Sequence, residues 1–142
     1  MRKMAIIVGV VSWAMVGCGP STRTYQVVVK NDSAEAVTIW LTKNGPPMED
    51  AWLPPEDIAM MRQLPEGLKV AGVLLAPGKS ADRTVNGKFA GGVDAVLRIY
   101  RGEKTLDQLL GIGPDSANRQ DVKLTPGANT LVINAQGRVK KQ

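Results

Sequence analysis

The fold class is indicated by one alternating stretch, Ala36-Val37-Thr38-Ile39-Trp40-Leu41-Thr42. Side chains alternate across an extended chain, so Val37, Ile39 and Leu41 fall on one face and the threonines fall on the other with Trp40. The stretch is rich in β-branched and aromatic residues, which favour a pleated sheet. It is therefore predicted to be a strand with one face in a core.

The sequence around this stretch repeats the pattern. A second apolar run at residues 25–30 precedes it, and the polar residues 31–34 between the two runs have turn chemistry, which predicts a hairpin. Further strands are predicted over residues 70–75, 80–85, 93–101, 120–124 and 130–135. In the strand at 93–101, the apolar residues at positions 93, 95, 97 and 99 share one face. Asn86-Gly87 is typical of a two-residue hairpin turn. Pro77-Gly78 is typical of a type II turn.

Residues 43–67 interrupt the strand pattern. Pro55 suits the first position of a helix, and the two acidic residues that follow it suit the positive end of the helix dipole. Apolar residues then recur at helical spacing at Ile58, Met61 and Leu64. This spacing predicts a short amphipathic helix over residues 55–64 that lies on a sheet.

Together these patterns predict an all-β domain at residues 24–137. The number of short strands and the spacing of the turns favour an immunoglobulin-like β-sandwich of about seven or eight strands, with one short helical insertion at about 43–67. The basic residues 138–142 are predicted to be a frayed, solvated tail. Contact with anionic head groups is the alternative for this tail.

The first 18 residues are organised like a bacterial export signal. The positive residues Arg2 and Lys3 come first, and an apolar run follows at residues 5–16. That run has the length of a secretory signal and is too short to span a bilayer, which takes about 20 apolar residues. Residues 1–17 are therefore predicted to be a signal peptide that the mature protein lacks.

The signal ends in Met15-Val16-Gly17-Cys18, which resembles the lipobox of bacterial lipoproteins. The resemblance implies cleavage before Cys18 and a diacylglyceryl group on its sulfur, the side-chain atom that is nucleophilic enough to form the thioether. It further implies that the membrane is a partner, that residues 18–23 are the lipidated cysteine and a short tether, and that the domain lies in the cell envelope on the extracytoplasmic side. Gly19 favours the outer membrane if the organism is Gram-negative.

The composition argues against several classes of function. The chain has no histidine, and Cys18 is its one cysteine, so nucleophile pairs that need His and metal or haem sites that need His or Cys are excluded. The acidic pairs at residues 49–50 and 56–57 are better explained by helix starts than by catalysis. The net charge of +5 is scattered and not clustered with aromatic residues. We expect no enzymatic activity, cofactor, metal or nucleic-acid partner.

Trp40 and Trp52 are the candidate contact residues of the domain. Each ring suits stacking on a sugar or anchoring of a protein partner. The alternative is that the predicted helix covers Trp40 and that Trp52 fills the same seam. Two functions remain open at this point. One is a non-catalytic protein-binding or assembly module with an envelope protein as partner, and the other is a carbohydrate- or peptidoglycan-binding module that uses the two tryptophans.

Overall fold

The computed structural model describes residues 19–61 and 72–142, which form a mostly β structure. Two four-stranded open sheets make a sandwich-like arrangement, with two short helices. The strands are β1 (Ser21–Asn31), β2 (Val37–Lys43), β3 (Gly72–Leu75), β4 (Ser80–Phe89), β5 (Ala95–Arg101), β6 (Arg119–Lys123), β7 (Gly127–Ile133) and β8 (Val139–Lys141). The helices are α1 (Pro55–Met60) and α2 (Leu106–Leu110), and a single 3-10 turn covers Asp50–Trp52. The predicted all-β sandwich architecture is confirmed at this level.

The strand order is β4-β1-β7-β8 in sheet A and β3-β2-β5-β6 in sheet B. Strands β1 and β7 run parallel, and the other neighbours are antiparallel. The hairpin predicted between residues 25–30 and 36–42 is wrong, because β1 and β2 lie in different sheets. The connections after Pro77 and Pro126 also cross between the sheets. Each of these strands has an apolar face, and crossing lets the two sheets bury those faces against each other.

The core lies between the two sheets. Sheet A and sheet B contribute alternate residues to it, each at most 4% exposed: Tyr25, Val27, Val29, Leu131, Ile133, Val37, Ile39, Leu41, Leu97 and Ile99. Burying one such aliphatic side chain contributes about 1.5–3 kcal/mol. The inward and outward faces predicted for residues 36–42 and 93–101 are therefore confirmed for their apolar positions.

The hairpin predicted at Asn86-Gly87 is wrong, because β4 continues through both residues to Phe89 and both pair with β1. The glycine has a different role. A Cβ at Gly87 would lie 2.4 Å from Nε1 of Trp52, so the indole rests against the bare backbone of the strand. Glycine within a strand often marks such a close approach.

The turn predicted at Pro77-Gly78 is confirmed. Gly78 has a φ of +73°, and the Lys79 N–H donates to the Ala76 carbonyl at 3.1 Å. A type II turn places a positive φ at this position, which glycine adopts without a steric penalty. Sequence patterns thus locate this turn correctly even though it joins two sheets.

Helix α1 begins at Pro55, as predicted, but it ends at Met60 and not at residue 64. Ile58 is buried and Met61 is half-buried against the core, whereas Leu64 lies outside the described residues. The second helix, α2, begins with a capping box in which Thr105 and Gln108 exchange hydrogen bonds. The structure therefore has a second helical segment at Leu106–Leu110, where the sequence also indicates a helical turn.

Both ends of the predicted domain carry additional strand. Strand β1 begins at Ser21, inside the segment predicted as tether, and residues 139–141 of the predicted tail pair with β7. The export signal and Cys18 lie outside the described residues. In the part of the chain that is described, no helix is long and apolar enough to cross a membrane.

Candidate functional site

Trp52 lies between the sheets at the end of the sandwich where β1 begins, which we call the Ser21 end. Its side chain is 0% exposed and packs edge-on against Tyr25 and Phe89, with ring centroids 5.6 and 5.2 Å away. The indole N–H donates to the Asn86 carbonyl at 3.0 Å. The ring presents no face to a ligand in this structure.

Trp40 lies on the outer face of sheet B and is 3% exposed. Its indole N–H donates to the Leu53 carbonyl at 2.9 Å. The ring forms part of an apolar groove of about 330 Å³ that is also lined by Ile58 of α1 and Leu109 of α2. The packing alternative thus describes Trp40 well, but Trp52 fills a different seam on the other side of the sheet.

An ion pair between a buried lysine and a half-buried glutamate lies beside Trp52 at the Ser21 end. The Lys43 side chain is 0% exposed, and its Nζ donates to Oε2 of Glu49 and to the Lys88 carbonyl, both at 2.7 Å. Nζ also lies 4.8 Å from the centre of the Phe89 ring. Hydrogen bonds and a cation–π contact therefore compensate for the loss of water around this ammonium group.

The same cluster sets the protonation of Glu49. Burial raises the pKa of Glu49, but hydrogen bonds from the Lys43 side chain and the Lys88 N–H, with the charges of both lysines, lower it by more. The net pKa of Glu49 lies below its usual value. Glu49 is therefore held as a carboxylate that links the 43–67 insertion to β2 and β4.

A groove of about 740 Å³ lies between the start of β6 and the turn that joins β7 to β8, at the end of the sandwich opposite Ser21. We call it the arginine groove. Three arginines, and no carboxylate, are among the residues that line it: Arg101, Ala117, Arg119, Gln120, Asn134, Gln136, Gly137 and Arg138. The groove is therefore open and positively charged.

Of the three arginines in this groove, Arg119 has the fewest free hydrogen-bond donors. Its Nε and Nη2 donate to the two carboxylate oxygens of Asp121 at 2.8 and 2.7 Å, and Nη1 donates to the Ile112 carbonyl at 3.3 Å. These hydrogen bonds to Asp121 raise the pKa of Arg119 above its ordinary value. The pair is a bidentate, structural one, and it neutralises the charge of this arginine.

Arg101 and Arg138 keep most of their donors available. The Arg101 guanidinium makes one long hydrogen bond, 3.4 Å to the Gln136 carbonyl. Among the described residues, the Arg138 side chain has no hydrogen bond or ion pair. Arg101 lies against Gly137, whose φ is +73° and where a Cβ would come within 3.1 Å of Nη2. Glycine thus satisfies both the turn geometry and the close approach of the guanidinium.

Gln120 spans one side of the arginine groove and ties the two sheets together. Its amide nitrogen donates to the Gly137 carbonyl at 2.6 Å, and its amide oxygen accepts from the Val139 N–H at 3.1 Å. The side chain therefore binds the outer edge of β8 in the way that a neighbouring strand would. It fixes the position of the 134–138 turn that carries Arg138.

Sequence reasoning did not find this groove. Arg101, Arg119 and Arg138 are far apart in the sequence, and only the meeting of two sheet edges brings them together. The sequence contains one indication of it. Arg101 is the last residue of the strand at 93–101 and falls on the same face as the apolar residues at 93, 95, 97 and 99. A charged side chain is rare on a face that packs into a core. A charged side chain on the inner face at the end of a strand indicates that the core ends there and that solvent reaches this position.

The structure and the comparisons add no known site to this chain. Among residues 19–61 and 72–142, no three acidic side chains approach one another closely enough to hold a metal ion. Neither a scan against models of known protein families nor a search of curated proteins finds a match for the chain. The function of this chain is therefore inferred from the geometry of its own residues.

Proposed function

We propose that this protein is a lipid-anchored, non-catalytic binding module of the bacterial cell envelope. Cys18 holds it to the membrane, on the extracytoplasmic side, and it binds an envelope protein through the end that carries the arginine groove. The observation that carries the proposal is the placement of these two features at opposite ends of the same sandwich.

The Ser21 end supports the anchor. Strand β1 begins three residues after Cys18, and these residues extend over about 10 Å at most. A domain on so short a tether stays close to the bilayer. Strand β1 has 11 residues and is about 35 Å long, which places the arginine groove at the end of the sandwich away from the tether.

The arrangement of carboxylates supports binding over catalysis. In each acidic pair that the sequence offered as an acid–base candidate, one member is held in an ion pair. Glu49 pairs with Lys43 at 2.7 Å, and Glu56 pairs with Arg98 at 2.9 Å. General acid–base work needs a carboxyl group positioned on its substrate, whereas these two are positioned on cationic side chains of the same fold.

An immunoglobulin-like topology is the finer part of the proposal. The two four-stranded sheets and the repeated crossings between them support it. The parallel pairing of β1 with β7 is a departure from fully antiparallel sheets of that class.

The carbohydrate-binding alternative needs accessible aromatic rings. Trp40 and Trp52 are 3% and 0% exposed, so their placement gives that alternative no support. A protein partner needs no such ring, because an open charged groove is available to it.

The anchor is tested by following lipidation in cells. The full chain is expressed in a Gram-negative bacterium with labelled palmitate, alongside Cys18→Ser and a matched control, Ser21→Ala. We expect the wild type and the control to incorporate label and to lose residues 1–17, because both keep the lipobox. Cys18→Ser should stay unlabelled and retain the precursor mass. Labelling of Cys18→Ser, or its processing to the wild-type mass, would refute the anchor.

A further inference from the structure

The arginine groove points to a particular partner chemistry. We propose that it binds an extended acidic segment of a protein partner, with Arg101 and Arg138 contacting carboxylates of that segment. This inference rests on the proposed function, since it names the kind of envelope protein surface that the module recognises.

The first step is the charge of the groove. Of its three guanidinium groups, the one on Arg119 is neutralised by Asp121, and those on Arg101 and Arg138 have no carboxylate beside them in the groove lining. A guanidinium presents a planar fork of N–H donors that matches a carboxylate through two parallel hydrogen bonds. Two uncompensated forks on one groove favour a ligand with more than one carboxylate.

The second step is the ordering of Arg101. Alternation along β5 directs the Arg101 side chain to the inner face of the sheet. Its guanidinium lies against Gly137 and donates one hydrogen bond to the Gln136 carbonyl. The contact with the 134–138 turn restricts the guanidinium on one side while most of its donors stay available. Binding therefore loses less side-chain entropy than at an arginine without such a contact.

The third step is the shape of the groove, which favours a peptide over an isolated anion. The groove borders the first residues of β6, Arg119 and Gln120, and β6 is an edge strand that pairs with β5 and has no second neighbour among the described strands. An extended segment laid on that edge gains main-chain hydrogen bonds while its side chains reach the arginines. At β8, by contrast, Gln120 already occupies the Gly137 carbonyl and the Val139 N–H, which leaves the β6 edge as the open one.

The test measures peptide binding to the full chain in neutral detergent micelles by fluorescence anisotropy. The probe is a fluorescein-labelled peptide of three Glu-Thr repeats, which places its carboxylates on one face of an extended chain. A peptide of three Gln-Thr repeats is the neutral control. We expect the acidic peptide to bind, the neutral one not to bind, and added salt to weaken binding.

Variants then locate the site. Arg101→Gln with Arg138→Gln should weaken binding of the acidic peptide by about tenfold or more, because two charged hydrogen-bonding groups are lost. Lys79→Gln with Lys88→Gln removes the same charge from exposed positions outside the groove and should change affinity less than twofold. Both double variants replace exposed side chains, and a melting temperature close to that of the wild type verifies their folding.

Three outcomes would overturn the inference. The first is absence of binding by the wild type. The second is equal weakening by both double variants, which would indicate non-specific attraction to a basic protein. The third is complete displacement by inorganic phosphate at the concentration of the peptide, which would identify a site for a small anion.

Cys18→Ser protein should bind the peptide as the wild type does. In the wild-type protein, peptide binding without lipidation would refute the anchor alone, and lipidation without peptide binding would refute this inference alone.

Discussion

At the scale of single residues, the 43–67 insertion is attached through side chains that reach into the sandwich. Trp52 fills the space between Tyr25 and Phe89, and Glu49 meets the buried ammonium of Lys43. Both attachments end on β4, at the Asn86 carbonyl and at the backbone of Lys88. The insertion therefore contributes to stability as part of the core, and its residues can be tested individually.

Replacing Trp52 tests packing against recognition. Trp52→Ala removes a side chain with 0% exposure, so we expect the free energy of unfolding to fall by about 3–5 kcal/mol. Chemical unfolding in urea measures this change. Met60→Ala is the matched control, because Met60 is 77% exposed on α1 and its truncation should cost little. A Trp52→Ala protein as stable as the Met60→Ala protein would make Trp52 a recognition residue.

Glu49 should make stability depend on acid pH. The folded state lowers the pKa of Glu49, so its contribution is fully present above the pKa of the unfolded chain, about 4.5. That contribution is lost as the pH falls below about 4.5 and through the folded-state pKa, because the protonated carboxyl no longer pairs with Lys43. Urea unfolding between about pH 6 and pH 3 should show a steeper loss of stability for the wild type than for Glu49→Gln.

A control for this titration is Asp32→Asn, since Asp32 forms an exposed ion pair with Lys30. Exposed pairs contribute little, so this variant should keep most of the wild-type pH dependence. Equal slopes for the wild type and Glu49→Gln would show that the Lys43 pair does not link protonation to folding.

At the scale of elements, the two edge strands of sheet A are protected by side chains. Trp52, Glu49 and Lys43 bind backbone groups of residues 86 and 88 on β4, and Gln120 binds those of β8. Unpaired edge strands invite pairing with other chains, and natural sheets cover or interrupt them. Side chains from sheet B and from the insertion provide this cover here.

Removing the Gln120 amide should open the β8 edge. Gln120→Ala leaves the Gly137 carbonyl and the Val139 N–H to water, and we expect a loss of about 1 kcal/mol in the free energy of unfolding. Amide hydrogen exchange should accelerate at Val139 while the amides of β1 stay protected. Gln26→Ala, on the exposed outer face of β1, serves as control. Unchanged exchange at Val139 in Gln120→Ala would contradict the capping role.

At the scale of the whole molecule, the sandwich separates two chemically different ends. The Ser21 end is closed by aromatic rings and a satisfied ion pair, and the proposed anchor immediately precedes it. The opposite end is open and carries the uncompensated charges of Arg101 and Arg138. This polarity places the proposed anchor and the proposed binding site at opposite ends of one sandwich.

The sequence by itself determined the features that depend on near neighbours in the chain. Alternation placed the apolar positions of β2 and β5 on their inner faces, Pro55 marked the start of α1, and Pro77-Gly78 marked a turn. The lipobox assignment at Cys18 is also local, and it stays a prediction. Local patterns suffice in these cases because side-chain periodicity and backbone dihedral preferences act over a few residues.

The tertiary structure alone decided which strands are neighbours and what the distant side chains do. The sequence pattern at Asn86-Gly87 indicates a turn, yet Trp52, which is 35 positions from Gly87, requires that glycine inside a strand. The burial of Lys43 and the meeting of Arg101 with Arg138 likewise depend on how the two sheets pack. Such contacts join residues far apart in the chain, and their free energy comes from burial and charge pairing that no local pattern encodes.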